Sequence, residues 1–122
     1  MRTDPRILAL CVLMTGCGQS PEPRICTAIA VDAMTVTVTD AATGQRICDA
    51  AVTATDGAFS ADLRPFPSGP ECSYSGPTER AGRYEVRVTR SGYETAVRRD
   101  VTVTADECHV IPVLLSFALR PL

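Results

Sequence analysis

A two-residue alternation of apolar and polar side chains runs through most of the chain after Cys26, and it constrains the fold more than any other feature. Successive side chains of a β-strand point to opposite faces, so this alternation is typical of strands with one buried face. The apolar members are often β-branched, which favours strands further. The alternation covers residues 34–39, 50–55, 59–64, 84–89, 101–104 and 111–119.

Turn-forming residues separate these segments. Asp56-Gly57 is a dipeptide typical of a two-residue hairpin turn, and Ser91-Gly92 marks another turn. No segment keeps a helical period, so short strands at this spacing predict an all-β sandwich. Residues 65–77 contain four prolines, two glycines and Cys72, and we expect them to form a surface loop that the cysteine ties down.

The length and the charge of the chain limit the number of domains and the kinds of partner that can be expected. The 122 residues suit one domain with its own core. The net charge is −2, no dense basic patch is present, and aromatic residues make up 5% of the chain. Nucleic acid is therefore not an expected partner.

The first residues have the pattern of a secretory signal peptide. Arg2 and Arg6 precede an apolar run over residues 7–14, and the small residues Thr15 and Gly16 follow. A helix of this run would be about 12 Å long, whereas the hydrocarbon core is about 30 Å thick. We therefore expect an export signal and no permanent spanning helix.

The tetrapeptide Met14-Thr15-Gly16-Cys17 resembles the lipobox of bacterial lipoproteins, with Met14 where leucine is usual. The resemblance implies a signal peptide over residues 1–16, lipidation of Cys17, a tether over residues 17–25 and a domain over residues 26–122. Two or more acyl chains would anchor the protein stably to a membrane. Gly18 is not the aspartate that retains such proteins at the inner membrane, so the outer membrane is favoured. The alternative is an ordinary signal peptide in which Cys17 has no role.

Four cysteines remain if Cys11 is removed with the signal and Cys17 is lipidated. An even number in an exported chain predicts two disulfides, and the spacing alone leaves three pairings open. A zinc site is disfavoured, because no pair has a CxxC spacing and His109 is the only histidine. The four are Cys26, Cys48, Cys72 and Cys108.

Several motifs in order resemble the carboxypeptidase regulatory-like domain, also described as transthyretin-like. The resemblance covers residues 34–119 and implies a seven-stranded Greek-key β-sandwich whose first and last matched strands run parallel. It also implies the disulfides Cys26–Cys108 and Cys48–Cys72, because the paired cysteines would lie at the same ends of the sandwich. The cysteine-bearing loop and Cys108-His109 depart from the family pattern. The matching positions are Asp40, Thr43, Gly44, Val52, Gly82, Tyr84, Gly92 and Tyr93.

The chain shows no recognisable catalytic motif. His109 follows Cys108, which is expected in a disulfide and so is not available as a nucleophile. No glycine-rich phosphate loop is present. Four aspartates could meet as a calcium site, but their spacing lacks a calcium loop, and turns or solvent are the expected environment. We therefore expect no catalytic residue, no metal and no cofactor; the aspartates are Asp40, Asp49, Asp56 and Asp62.

Tyr74 is the candidate binding residue, as an exposed aromatic on the tied loop that could contact protein or glycan. The alternative is that its ring covers the end of the sandwich. The expected function is a non-catalytic lipoprotein of the cell envelope, structural or binding, with a protein or carbohydrate partner. A small-ligand carrier or accessory subunit of an envelope complex is the second hypothesis. A hydrolase of unrecognised type is the third.

Overall fold

The computed structural model describes residues 25–66 and 71–122, so the expected signal peptide and Cys17 lie outside the described residues. Within the described part no helix is long and apolar enough to cross a membrane. All regular structure there is strand, which confirms the all-β prediction. The strands are β1 (Asp32–Asp40), β2 (Ala51–Asp56), β3 (Phe59–Asp62), β4 (Arg64–Phe66), β5 (Ser73–Thr78), β6 (Gly82–Thr89), β7 (Ala96–Val103) and β8 (Val113–Leu119).

The strands form two sheets of four. The first sheet has the order β4-β5-β1-β8, and the second has the order β3-β2-β6-β7. β1 and β8, the first and last strands, run parallel, with Met34 opposite Val113 and Asp40 opposite Leu119. The other strand pairs among the described residues are antiparallel. The predicted β-sandwich is confirmed, including the parallel pairing that the family resemblance implies.

The structure has eight strands where the resemblance implies seven, because one extended segment divides at Leu63. β3 pairs with β2 in the second sheet, whereas β4 pairs with β5 in the first. The Leu63 side chain is buried in the core at the point where the chain changes sheets. A single residue thus links the two layers on this side of the sandwich.

The surface loop expected over residues 65–77 is wrong for residues 65–66 and 73–77, which are strand, whereas residues 67–70 lie outside the described part. β5 begins within this range, at Ser73, and occupies an interior position of the first sheet, between β4 and β1. Its burial alternates, with Tyr74 and Gly76 inward. The prolines and glycines of this segment indicate a loop, and Gly76 has no side chain that could mark the inward face, so the sequence did not reveal the alternation. Pro65 is compatible with a strand because it lies on the edge strand β4, where a missing amide donor is tolerated.

The core lies between the inner faces of the two sheets. Each fully buried apolar side chain of this kind contributes about 1.5–3 kcal/mol to folding. The alternation read from the sequence predicts this set, since the inward residues recur at every second position. The main contributions are Met34, Val36 and Val38 from β1, Val52 and Ala54 from β2, Tyr84, Val86 and Val88 from β6, and Leu115, Phe117 and Leu119 from β8.

Arg98 closes one open side of the sandwich, where the edge strands β7 and β8 of the two sheets face each other. Its guanidinium donates a hydrogen bond to the Ser116 carbonyl at 2.9 Å. The same group lies 4.7 Å from the centroid of the Phe117 ring, within cation–π range. A charged side chain over an edge strand also blocks pairing with another chain.

Candidate functional site

Asp40 and Tyr93, two of the family-motif residues, fasten the end of the sandwich where β1 ends. The Asp40 carboxylate accepts hydrogen bonds from the Ala42 and Thr43 amides at 2.7 and 3.0 Å, and from the Tyr93 hydroxyl at 2.6 Å. These bonds, with that of Tyr93 the largest cause, lower the pKa of Asp40. Gly44 has a φ of 74°, which glycine adopts without strain. The Asp-Thr-Gly motif therefore builds a turn.

Gly82 and Tyr84 belong to a second structural cluster around Arg80. The Arg80 guanidinium donates to Asp56 at 3.1 Å and to the Tyr84 hydroxyl at 3.0 Å, and it lies 3.8 Å from the centroid of the Phe59 ring. A Cβ at Gly82 would meet the Asp56 carboxylate at 2.5 Å, which explains the glycine. These motif residues therefore stabilise the packing of the sandwich.

The four aspartates considered for calcium do not come together. Each has its own protein partner, and no group of three or more metal-ligating side chains is assembled within residues 25–66 and 71–122. The partners are Tyr93 for Asp40, Arg90 for Asp49, Arg80 for Asp56 and Thr53 for Asp62.

The two disulfides are Cys26–Cys108 and Cys48–Cys72, the pairs that the family resemblance implies. They lie at opposite ends of the sandwich. Cys26 and Cys108 precede the parallel strands β1 and β8, whereas Cys48 precedes β2 and Cys72 precedes β5.

A hydrogen-bonded chain accompanies the first disulfide. His109 Nδ1 lies 2.5 Å from Glu79 Oε1, and its Nε2 lies 2.9 Å from the Thr27 hydroxyl. Glu79 also accepts bonds from the amides of Val31 at 2.9 Å and Val110 at 3.1 Å. We call Cys26, Thr27, Glu79, Cys108 and His109 the N-terminal clamp, because together they hold residues 26–31 against the turns after β5 and before β8.

The order hydroxyl, imidazole, carboxylate in the clamp is also that of a nucleophile with its base. Such a site needs donors for an oxyanion near the nucleophile. The amides of Cys108 and His109 instead donate to Asp106 Oδ1 at 2.8 and 2.9 Å. These two amides are therefore committed to the turn and do not supply an oxyanion site.

Sequence reasoning missed the clamp, although one signal for it was present. Thr27 and His109 each follow a cysteine of the same implied disulfide. A Cys26–Cys108 bond therefore brings their backbones close together.

The clamp should make stability depend on acid through Glu79. The bond with His109, the largest cause, and the two amides lower the pKa of Glu79 below its ordinary value of 4.5, against a smaller effect of burial. A lowered folded-state pKa gives stability that is present above pH 4.5 and lost as pH falls through the lower folded value. We expect the melting temperature of the unsubstituted protein to fall more steeply below pH 4.5 than that of Glu79→Gln.

Thermal unfolding at a series of pH values measures this difference. Glu94→Gln, an exposed glutamate in the turn before β7, is the matched control and should retain the steep dependence. Parallel pH profiles for Glu79→Gln and the unsubstituted protein would contradict the assignment.

Tyr74 is not exposed, so the expected position of this candidate binding residue is wrong. Its side chain is 1% exposed. The hydroxyl donates to the Ile47 carbonyl and accepts from the Ala50 amide, both at 2.9 Å. Burial raises the pKa of this phenol. The alternation of β5 turns Tyr74 inward, so its ring is part of the core, which is closer to the alternative that it covers the end of the sandwich than to an exposed binding residue.

The outer face of the first sheet differs from that of the second in charge. On the second sheet, arginines pair with acids across β6 and β7, as in Arg83–Asp100 at 2.8 Å and Arg99–Glu85 at 3.8 Å. Among the outward strand residues of the first sheet, small hydroxyl side chains dominate and Arg64 is the one charged member; Arg46, bridged to Thr39, lies at the margin of this set. We call this set the hydroxyl face: Thr35, Thr37, Thr39, Arg64, Phe66, Ser73, Ser75, Leu114, Ser116 and Ala118.

A concavity of about 280 Å³ lies at the β4 edge of the hydroxyl face. We call it the sheet cavity; its lining is Asp32, Arg64, Pro65, Phe66 and Ser75. The Phe66 side chain is 72% exposed there. The Arg64 guanidinium forms no hydrogen bond or ion pair with any other described residue, so its donors face solvent. The sheet cavity therefore combines an exposed aromatic ring with groups able to donate and accept hydrogen bonds.

Two packed four-stranded sheets, the first of which pairs the first and last strands in parallel, define a small β-sandwich module. The chain matches the model of the carboxypeptidase regulatory-like domain over residues 33–116, and it belongs to that family. Domains of this family are often non-catalytic modules. No curated protein shows significant similarity to the chain.

Proposed function

We propose that this protein is an exported, lipid-anchored binding module of the bacterial cell envelope, without catalytic activity, and that its partner is a protein or a carbohydrate. The family supports the non-catalytic part, since its members are often accessory β-sandwiches. The lipobox-like sequence that ends at Cys17 supports the anchor.

The observation that carries the binding role is the contrast between the two outer faces. On the second sheet, ion pairs join Arg83 to Asp100, and join both Arg87 and Arg99 to Glu85. The hydroxyl face presents Phe66 at 72% exposure beside a cavity and an arginine without a partner among the described residues, and Leu114 at 80% exposure on its opposite edge. An exposed aromatic side chain beside convergent polar groups marks a surface that excludes water when a partner covers it.

The N-terminal clamp supports the presentation of this face. It fixes residues 26–31 at one end of the sandwich. A tether that leaves the domain at this end places the membrane next to the end of the sandwich where β1 and β8 begin, and not next to the face of either sheet. The faces of both sheets then remain accessible from the side.

Replacing Cys17 by serine should abolish lipidation, because a serine oxygen does not replace the thioether that carries the diacylglycerol. The full chain is expressed in a bacterium fed with an alkyne fatty acid, and the label on the purified protein is measured. We expect the label to disappear from Cys17→Ser and the protein to leave the membrane fraction.

Cys11→Ser is the matched control, since it changes a cysteine of the same segment that lies outside the lipobox-like sequence. It should keep the label and the membrane location. Equal labelling of Cys17→Ser and the unsubstituted protein would refute the anchor.

A further inference from the structure

We propose that the sheet cavity is a binding site for a neutral carbohydrate, with Phe66 as the stacking surface and Arg64, Asp32 and Ser75 as the hydrogen-bonding groups. This inference rests on the proposed binding function and names its ligand class and its site.

Phe66 is the aromatic ring whose position the fold does not explain. Tyr74, Tyr84 and Phe117 are each at most 5% exposed and fill the core, whereas Phe66 is 72% exposed on the edge strand β4. An exposed ring of this size offers a flat apolar surface. One face of a pyranose ring carries several C–H bonds and is apolar, so the two surfaces can stack and exclude water between them.

The polar groups of the sheet cavity match the hydroxyl groups of a sugar, which both donate and accept. Arg64 supplies up to five N–H donors, and none is used within the described residues. Asp32 supplies acceptors; its Oδ1 accepts one bond from Thr78 at 2.9 Å and its Oδ2 has no described partner. Ser75 can donate or accept. A ligand with adjacent hydroxyls could use all three residues at once.

Charge decides between a neutral and an anionic ligand. The lining contains one cation, Arg64, and one anion, Asp32, so its formal charges cancel. A phosphate or a carboxylate bound to Arg64 would lie beside the Asp32 carboxylate in a small cavity, at a cost in repulsion. Arg46, which is bridged to Thr39 at the margin of the hydroxyl face, already donates to the Cys72 carbonyl at 2.9 Å. A neutral ligand rich in hydroxyls avoids this cost.

The surroundings suit a polymer better than a single sugar. The cavity, at about 280 Å³, is near the lower limit of about 300 Å³ for small-molecule sites. The strand register continues the face across the sheet from Arg64. Thr35 lies beside Ser75, and Leu114 lies beside Thr35. Three strand spacings cover about 14 Å. Neighbouring sugar units would meet the Thr35 hydroxyl and, at the far edge, the exposed Leu114 side chain.

Isothermal titration of the purified full-length protein tests the proposal. The detergent must carry no sugar headgroup, since an alkyl glycoside would compete. The probes are three neutral hexasaccharides, of β-1,4-linked glucose, α-1,4-linked glucose and β-1,4-linked N-acetylglucosamine, and one anionic probe, oligogalacturonate. We expect at least one neutral probe to bind more tightly than the anionic one, and Phe66→Ala and Arg64→Ala each to weaken that binding by about tenfold or more.

Two controls separate site effects from misfolding. Val97→Ala truncates an exposed apolar side chain on β7, outside the hydroxyl face, and should leave the affinity unchanged. Phe66→Tyr keeps an aromatic face and should retain binding, and the melting temperatures of all variants should agree.

Preferred binding of oligogalacturonate, an equal loss in Val97→Ala, or no binding of any neutral probe would each overturn the assignment. The fatty-acid labelling of Cys17 is a separate measurement. A failed titration with intact labelling therefore refutes the carbohydrate site, whereas lost labelling refutes the anchor.

Discussion

Removing the Cys26–Cys108 disulfide is expected to lower the free energy of unfolding by about 4.5 kcal/mol, which is more than we expect for the Cys48–Cys72 disulfide. The bond joins residues 82 positions apart and so removes the conformational entropy of a long loop from the unfolded chain. Stabilities of domains of this size are typically about 5–15 kcal/mol, so much of the total is involved. The Cys26→Ala/Cys108→Ala double variant avoids a free thiol, and urea unfolding measures the change.

The matched control is Cys48→Ala/Cys72→Ala, which opens a disulfide with a separation of 24 residues. The gain in conformational entropy of the unfolded chain predicts that this variant loses about 3.5 kcal/mol of its free energy of unfolding. A loss below about 1 kcal/mol in the Cys26/Cys108 variant would contradict the loop argument.

Tyr74→Ala is expected to destabilise the domain by about 3–5 kcal/mol, the range for deleting a large buried aromatic side chain. The ring is 1% exposed, so the substitution leaves a cavity in the core. Tyr74→Phe keeps the ring but leaves the Ile47 carbonyl and the Ala50 amide without their partner, at a cost of about 1–3 kcal/mol. Urea unfolding separates the two contributions.

Phe66→Ala supplies the comparison, because Phe66 is exposed and its truncation should change stability by less than about 0.5 kcal/mol. A second readout is pH. The pKa of Tyr74 is raised by burial above its ordinary value of 10.0, so its contribution is complete below pH 10 and is lost as pH rises through the folded value. Tyr74→Phe should remove that alkaline loss. Equal stability of Tyr74→Ala and Phe66→Ala would contradict the buried position.

The strands of the core could be predicted from the sequence, because residues such as Val36, Val52 and Val86 recur with period two between polar neighbours. β5 could not, because Ser73, Gly76 and Pro77 carry no apolar alternation and its one large inward side chain is Tyr74. The partner strands on both sides impose the extended conformation there. Tertiary pairing thus outweighed local propensity in this segment.

The two candidate sites differ in how far the sequence could reveal them. Once the Cys26–Cys108 pair is given, Thr27 and His109 follow as neighbours. The sheet cavity instead depends on strand register, since Arg64 comes from β4, Ser75 from β5 and Asp32 from β1. No spacing in the sequence brings those three together, and Arg64 by itself is indistinguishable from other surface arginines.

The position of the first disulfide also decides how the domain carries tension between its two ends. Cys26 lies at one end of the sandwich, whereas the Leu122 amide bonds to the Gly92 carbonyl at the other. A pull on residue 25 against Leu122 passes through the disulfide into Cys108 and along β8, so the 82-residue loop between the cysteines bears no load. β1 lies inside that loop, so β8, which is already extended, carries the load along its own backbone and is not pulled past β1. If the chain is pulled while anchored, its greatest extension is set by the few residues outside that loop.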